Sequence, residues 1–273
     1  MKQTSLPSLN LVKKLILPLA VLALSLAGTG MAKADTTIVY DPLSLTPAVP
    51  PPSPVHLDGT KPTDRGGTDV PDTAWSNSGD EFTVSETGTQ AAGGTIPVAE
   101  LNVGTLDANR TYTLTVHVDF TVGASNDDAE FGFDDNNIDY INSPTGPNLD
   151  YNWAGSATLF YETDSGSSQG ATIAETSDNI LQLVLTTGTD YTVTASVNGQ
   201  MVGSTFTYTG AAGADPNPAI DGIFIGAQGD DGAAYTDFRL MENTVVPEPS
   251  TWALLGAALV SLGLVLRFRR RNS

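Results

Sequence analysis

Between Thr111 and Val122 the chain alternates without a break. Tyr112, Leu114, Val116, Val118, Phe120 and Val122 fall on one side; Thr111, Thr113, Thr115, His117, Asp119 and Thr121 fall on the other. A period of two held over this length means a long strand with one buried face, because successive side chains of an extended chain point to opposite sides. A second unit, Tyr191–Val197, runs into Asn198-Gly199 and returns through Gln200–Tyr208. Asn-Gly is the strongest short hairpin signal, since both central residues of a type I′ turn need positive φ. Counting outward from the turn sets Ala195 against Val202, Val193 against Ser204 and Tyr191 against Phe206, which keeps the buried face mostly apolar.

Further strands are expected at Thr37–Tyr40, Glu81–Ser85, Ala129–Phe133, Ala157–Tyr161, Ile180–Thr186, Ala219–Ile225 and Ala234–Leu240. Clusters of Gly, Asn, Asp and Ser separate them, and no stretch between the two ends of the chain shows a helical period. The expected fold is an all-β antiparallel sandwich. Pro42–Pro54, with prolines at 42, 47, 50, 51, 52 and 54, is read as a polyproline-like spacer after the first strand. The closing stretch, Tyr191–Gly199 followed by Ile220–Gly226 and Tyr235–Leu240, resembles the end of a concanavalin A-like (laminin-G/lectin) jelly roll. In that fold a hairpin precedes two last strands, and the final one carries an Asp near its aromatic residue. Sugar binding is what this resemblance implies by analogy, since function lives in sites rather than folds.

The two ends read differently from the middle. Lys2, Lys13 and Lys14 precede the apolar run Leu15–Ala27, and Ala32-Lys33-Ala34 stands as an Ala-x-Ala cleavage site, with Ala32 and Ala34 its small residues. Residues 1–34 are therefore expected to be a signal peptide with a short helix, and the mature chain to start near Asp35. At the other end Pro247-Glu248-Pro249 precedes an uncharged run from Trp252 to Leu266, which Arg267, Phe268, Arg269, Arg270 and Arg271 close. Proline fixes its own φ and restricts the residue before it, so the tripeptide is a short rigid element presenting one carboxylate. A helix over 252–266 spans about 22 Å at about 1.5 Å per residue, a marginal membrane crossing. The arginines behind it are a stop that stays in the cytoplasm by the positive-inside rule, which places what precedes Pro247 outside.

This ending, 246–273, resembles the PEP-CTERM sorting signal of Gram-negative bacteria. The resemblance implies export across the inner membrane, anchorage through the C-terminal helix, processing by the membrane protease exosortase, and a final place at the cell surface or outside the cell. It also implies an association with extracellular polysaccharide and biofilm matrix.

The part between the ends, 35–245, holds four cations (Lys61, Arg65, Arg110 and Arg239) against 30 acids, a net charge of −26. So negative a surface repels phosphate backbones, which excludes nucleic acid as a partner. The absence of cysteine removes disulfides, thiolate metal sites and cysteine nucleophiles.

The densest polar cluster is Asn126-Asp127-Asp128-Ala129-Glu130 with Asp134-Asp135-Asn136-Asn137-Ile138-Asp139. Oxygen-only ligands suit Ca²⁺, so Asp127, Asp128, Glu130, Asp134, Asp135 and Asp139 are candidate ligands, although the spacing is not that of an EF-hand. Solvated loops of an acidic protein are the plainer reading. Trp75, Trp153, Tyr140 and Tyr151 lie in Asn/Asp/Gly-rich surroundings where they could stack on a sugar ring; the alternative is that they are half-buried lids over the core. Neither His56 nor His117 has a histidine partner for zinc or a serine beside it to activate. Two carboxylates for glycoside hydrolysis could include Glu130 and Asp134, which share a face only if the strand continues through Gly132.

The chain is therefore read as an exported, non-catalytic surface or matrix protein with no catalytic residue and no cofactor beyond a candidate Ca²⁺. A Ca²⁺-dependent carbohydrate-binding module is the first alternative and a polysaccharide-cleaving enzyme the second.

Overall fold

The computed structural model describes residues 32–44, 55–65, 73–78, 82–85, 88–91, 97–120, 128–134, 146–162, 167–208, 220–228 and 233–246. The expected helices at the two ends, the tripeptide Pro247-Glu248-Pro249 and Arg267, Arg269, Arg270 and Arg271 lie outside them. The chain divides into two compact units, Asp35–Asn243 and Met1–Ala34 with Thr244–Ser273; the sandwich is the first.

Its elements are all strands: β1 (Ala32–Asp41), β2 (Val55–His56), β3 (Asp64–Arg65), β4 (Ser76–Ser78), β5 (Phe82–Ser85), β6 (Gly88–Ala91), β7 (Val98–Asn102), β8 (Thr111–Phe120), β9 (Asp128–Asp134), β10 (Asn148–Asn152), β11 (Ser156–Glu162), β12 (Ser167–Thr172), β13 (Asn179–Thr186), β14 (Tyr191–Val197), β15 (Gln200–Tyr208), β16 (Gly222–Gln228) and β17 (Ala233–Val246). Among the described residues they form two sheets. A ten-stranded one runs β15-β14-β13-β8-β17-β6-β5-β2, with β1 on β17 and β3 on β1. A seven-stranded one runs β12-β11-β10-β9-β16-β7-β4. Every pair with a defined register is antiparallel, and the inner faces of both sheets feed one core: an antiparallel β-sandwich of jelly-roll type.

The alternation that predicted β8 is what buries it. Tyr112, Leu114, Val116, Val118 and Phe120 all lie in the core. Removing that apolar area from water contributes about 25 cal/mol per Å², which makes this central strand a main source of stability. The Asn198-Gly199 turn has positive φ at both residues, 53° and 76°, as a type I′ hairpin requires. Ala195 faces Val202 as expected, but the register then slides: Val193 faces Phe206, not Ser204, and Tyr191 faces Tyr208, not Phe206. Gly203 takes φ 70° in the bulge between these pairs. The bulge is used. Gln169 on β12 accepts through Oε1 from the Ser204 amide at 2.5 Å and from Ser204 Oγ at 3.1 Å, tying the edges of the two sheets together.

Two of the expected sugar-stacking residues are core instead. Trp75 is buried, packs edge-on against Phe238, and donates its Nε1 hydrogen to Asp41 Oδ2 at 2.8 Å. Tyr151 points inward from β10, packs against Phe120, and donates its hydroxyl to the Ile173 carbonyl at 3.2 Å. Both rings are large apolar surfaces whose single polar group finds a partner inside, which is why a sandwich core accommodates them. Neither can present a face to a ligand.

Candidate functional site

The chemistry-bearing surface is the outer face of the seven-stranded sheet. β9 continues through Gly132, so Ala129, Phe131 and Phe133 enter the core while Asp128, Glu130, Gly132 and Asp134 share the opposite face. On β10, Leu149 and Tyr151 go inward and Asn148, Asp150 and Asn152 outward. The register sets Glu130 against Asp150, Gly132 against Asn148 and Asp128 against Asn152. On the far side of β9, Gly226 of β16 faces Glu130 and Phe224 faces Gly132. β11 brings Thr158 beside Asp150 and Phe160 beside Asn148.

Gly132 is required by this packing. A Cβ there would stand 2.8 Å from Cε1 of Phe224 and 2.7 Å from both the Asn148 Cβ and the Pro147 carbonyl oxygen. The face is closed on the β16–β7 side, where Phe224 and Val98 are buried, and opens toward β11, where Phe160 is 39% exposed. Trp153, in the turn from β10 to β11, is 40% exposed.

Electrostatically the face is one-sided. None of the seven strands contains Lys, Arg or His. Glu130 is held well above the usual carboxylate range, first by desolvation and then by the charges of Asp150 and Asp128. Asp150 is pushed up to about 7 by desolvation and by Asp128. Directly opposed residues of an antiparallel pair have Cβ atoms about 4.5–5.5 Å apart, so the two carboxyls are within mutual reach. A buried carboxyl without a counter-ion keeps its proton. Burial and the neighbouring acids thus favour the protonated, donor-capable form of both carboxyls. The Oδ1 atoms of Asp150 and Asn148 are buried without a hydrogen-bond partner, and Asn148 is only 3% exposed. Such acceptors are costly when unmet.

Of the candidate Ca²⁺ ligands, Asp128, Glu130 and Asp134 are described; Asp127, Asp135 and Asp139 lie outside the described residues, as does Tyr140 of the candidate stacking residues. Among the described residues no three acidic or histidine side chains converge on one metal position. The described acids alone do not form a Ca²⁺ cage, and no Ca²⁺-dependent step is built on them. Trp153 keeps its exposed position. Sequence reasoning missed Asn148, Asp150 and Phe160, because Asn-Leu-Asp-Tyr-Asn reads as loop; the signal that would have found them is the alternation of Leu149 and Tyr151 with polar residues.

On the opposite sheet His117 Nδ1 lies 3.0 Å from Asp178 Oδ1, and its Nε2 lies 3.5 Å from Asp237 Oδ2. Asp237 sits at φ 52° in a bulge of β17 and holds Arg239 at 3.0 Å. This is a surface clamp between strands.

Residues 245–271 match the PEP-CTERM protein-sorting motif. The chain thus carries a sorting signal behind its sandwich. No curated protein matches the sequence. Similar solved structures are lectin-like domains at low identity. The potassium-bound carbohydrate recognition domain of Emp46p is 12% identical, over 61% of this chain and 87% of that one, with a TM-score of 0.46. A Bacillus subtilis protein of unknown function with a galectin-like fold is 12% identical over 62% and 90%, with a TM-score of 0.47. The exoplasmic/lumenal domain of VIP36, in its Ca2+/Man3GlcNAc-bound form, is 10% identical over 64% and 86%, with a TM-score of 0.44.

Proposed function

We propose that the protein is an exported β-sandwich that binds extracellular polysaccharide on the outer face of its seven-stranded sheet, without cleaving it. It is anchored through its C-terminal helix, with Arg267–Arg271 as the stop, until exosortase acts at Pro247-Glu248-Pro249. It then remains at the surface or in the matrix of a Gram-negative cell. The sorting motif at 245–271 supports the second half of this reading.

The observation that carries the first half is the convergence on one face of a proton-holding carboxyl pair, unmet amide and carboxyl acceptors and an exposed aromatic ring, with no cation in the sheet. Sugars offer paired hydroxyls, each a donor and an acceptor, and an apolar ring face. Glu130, Asp150 and Asn148 suit the first; Phe160 and Trp153 suit the second. A polyanionic ligand is disfavoured by the acids.

One observation favours cleavage instead: Glu130 stands directly opposite Asp150, and a retaining glycosidase pairs two carboxyls roughly 5–5.5 Å apart. The nucleophile of such a pair must be ionised, and Asp150 Oδ1 has no donor to hold it so. Binding is the better reading. A glycan array on the purified chain, with and without Ca²⁺, combined with an assay for new reducing ends, tests it. Retention of neutral polysaccharide without new reducing ends is expected; retention of none would refute it.

A further inference from the structure

Two oxygens on the outer face of the seven-stranded sheet are left unsatisfied by the described residues. The Oδ1 atoms of Asn148 and Asp150 are buried without a hydrogen-bond partner, and Asn148 is 3% exposed. An amide oxygen is an acceptor at every pH, so Asn148 calls for a donor under all conditions. The sheet holds no charged donor, because none of its seven strands contains Lys, Arg or His. Among the described cations, Arg110 pairs with Glu242 and Arg239 with Asp237, both acids of the ten-stranded sheet. We propose that this face takes an amino-sugar polymer: a hexosamine glycan whose free amines, as ammonium groups, are held by Asn148 and Asp150 while the sugar ring stacks on Phe160, in preference to the N-acetylated or the plain hydroxyl form of the same backbone. The proposal rests on the reading of this face as the glycan site.

The three substituents differ in what they bring. A hydroxyl offers one donor together with acceptor lone pairs of its own, an acetamido group one donor and one acceptor, and an ammonium three donors and no acceptor. Where the waiting protein atoms are acceptors, the ammonium adds no acceptor that must itself be met. Hydrogen bonds from a charged donor are also shorter and roughly twice as strong as neutral ones. The ammonium brings, in addition, the counter-charge that the sheet lacks. Asp128, Glu130, Asp134 and Asp150 share this face, with Glu130 directly opposite Asp150. A cation within about 4–6 Å of such acids offsets the cost of crowding them together.

The spacing suits a sugar. Asn148 and Asp150 are alternate residues of β10, so the rise of a strand sets them about 6.6 Å apart on one side. An amine and the neighbouring hydroxyl of one pyranose ring bridge such a gap, each reaching one oxygen. Phe160 is directly opposite Asn148 and 39% exposed, which puts an aromatic surface beside the amide for the C–H face of the ring. A basic peptide would meet the same oxygens, but the exposed ring beside them favours a sugar. The charge balance agrees: a chain with −26 between its ends draws polycations toward it and repels polyanions.

The test sets the full chain, in detergent, against three tetramers that share a backbone: glucose, N-acetylglucosamine and glucosamine, each in β-1,4 and in β-1,6 linkage. Titration calorimetry is run at pH 5.5, where sugar amines are charged, with a chelator to keep divalent cations off the acids. Physiological salt screens charges more than about 8 Å apart. A glucosamine tetramer should bind with a Kd at least ten-fold below those of its two counterparts. In Asn148→Leu, and separately in Asp150→Asn, that ratio should fall toward one; two variants guard against a folding failure in either, which circular dichroism would reveal. Equal constants for the three tetramers would overturn the amine preference while leaving the glycan reading intact, and no binding of any would remove both. Tetralysine binding as tightly as the glucosamine tetramer would reduce the effect to bulk charge and overturn the proposal, as would a preference that survives in both variants.

Discussion

Gly132 shows how much of the site rests on the absence of a single methyl group. With no Cβ it lets the Phe224 ring and Asn148 close over β9, and Gly132→Ala would drive a carbon to within 2.8 Å of that ring and 2.7 Å of a carbonyl oxygen. Overpacking of this kind costs about 1–3 kcal/mol, so thermal melts of the variant should show a loss of that size. An unchanged melting temperature would mean that the outer face is looser than these contacts imply. Asp150 gives a second prediction at this scale. Its folded value, about 7, lies above its ordinary 3.8, so the folded state binds the proton more tightly than the unfolded chain. The stabilisation is whole below about pH 4 and is lost as pH rises through about 7. Stability should therefore decline between about pH 4 and about pH 7. Asp150→Asn should remove part of that decline, at about 1.4 kcal/mol for every tenfold difference in proton affinity between the folded and unfolded states. Equal slopes in variant and wild type, measured by denaturant titration, would contradict the account.

Among the elements, β8 and the β14–β15 hairpin were legible because pattern and turn chemistry agreed with burial. Leu114, Val116 and Val118 needed only period two, and Asn198-Gly199 needed only positive φ. The bulge at Gly203 was not legible, since it answers Gln169 on a strand thirty-odd residues earlier, a contact that no local pattern encodes. β10 was misread for a more instructive reason. Asn148, Asp150 and Asn152 disfavour strands, and on the proposed reading their place in one is a compromise between stability and function. The same reasoning gives a prediction: Asn148→Thr with Asp150→Val should raise the melting temperature at pH 7.5 by several degrees while abolishing glycan retention. A double variant that still binds would place the site elsewhere. Trp75 and Tyr151 were misplaced because loop-like neighbours say little about which way a ring turns. In contrast, Val116→Asp buries a charge without a partner in the central strand and should prevent folding outright, read as loss of the strand signal in circular dichroism.

At the scale of the whole molecule, charge, fold and sorting signal point the same way. A chain whose part between the ends carries −26 presents a charge that repels phosphate backbones, and it depends on its core, without disulfides, for its stability. The terminal motif was the most legible feature of all, because a rigid tripeptide, an apolar run and a basic stop act through order along the chain rather than through a fold. Glu248→Ala should leave export intact and stop C-terminal processing, seen as an unprocessed mass in envelope fractions; equal masses for variant and wild type would rule this out. The central claim is that the seven-stranded sheet, on the side of Glu130, Asp150 and Phe160, is where polysaccharide binds. Hydrogen–deuterium exchange at pH 5.5, with and without a neutral polysaccharide, tests it most directly. Exchange should slow in Asp128–Asp134, Asn148–Asn152 and Ser156–Glu162. Protection confined to β8, β13 and β14 of the other sheet, or protection nowhere, would contradict it.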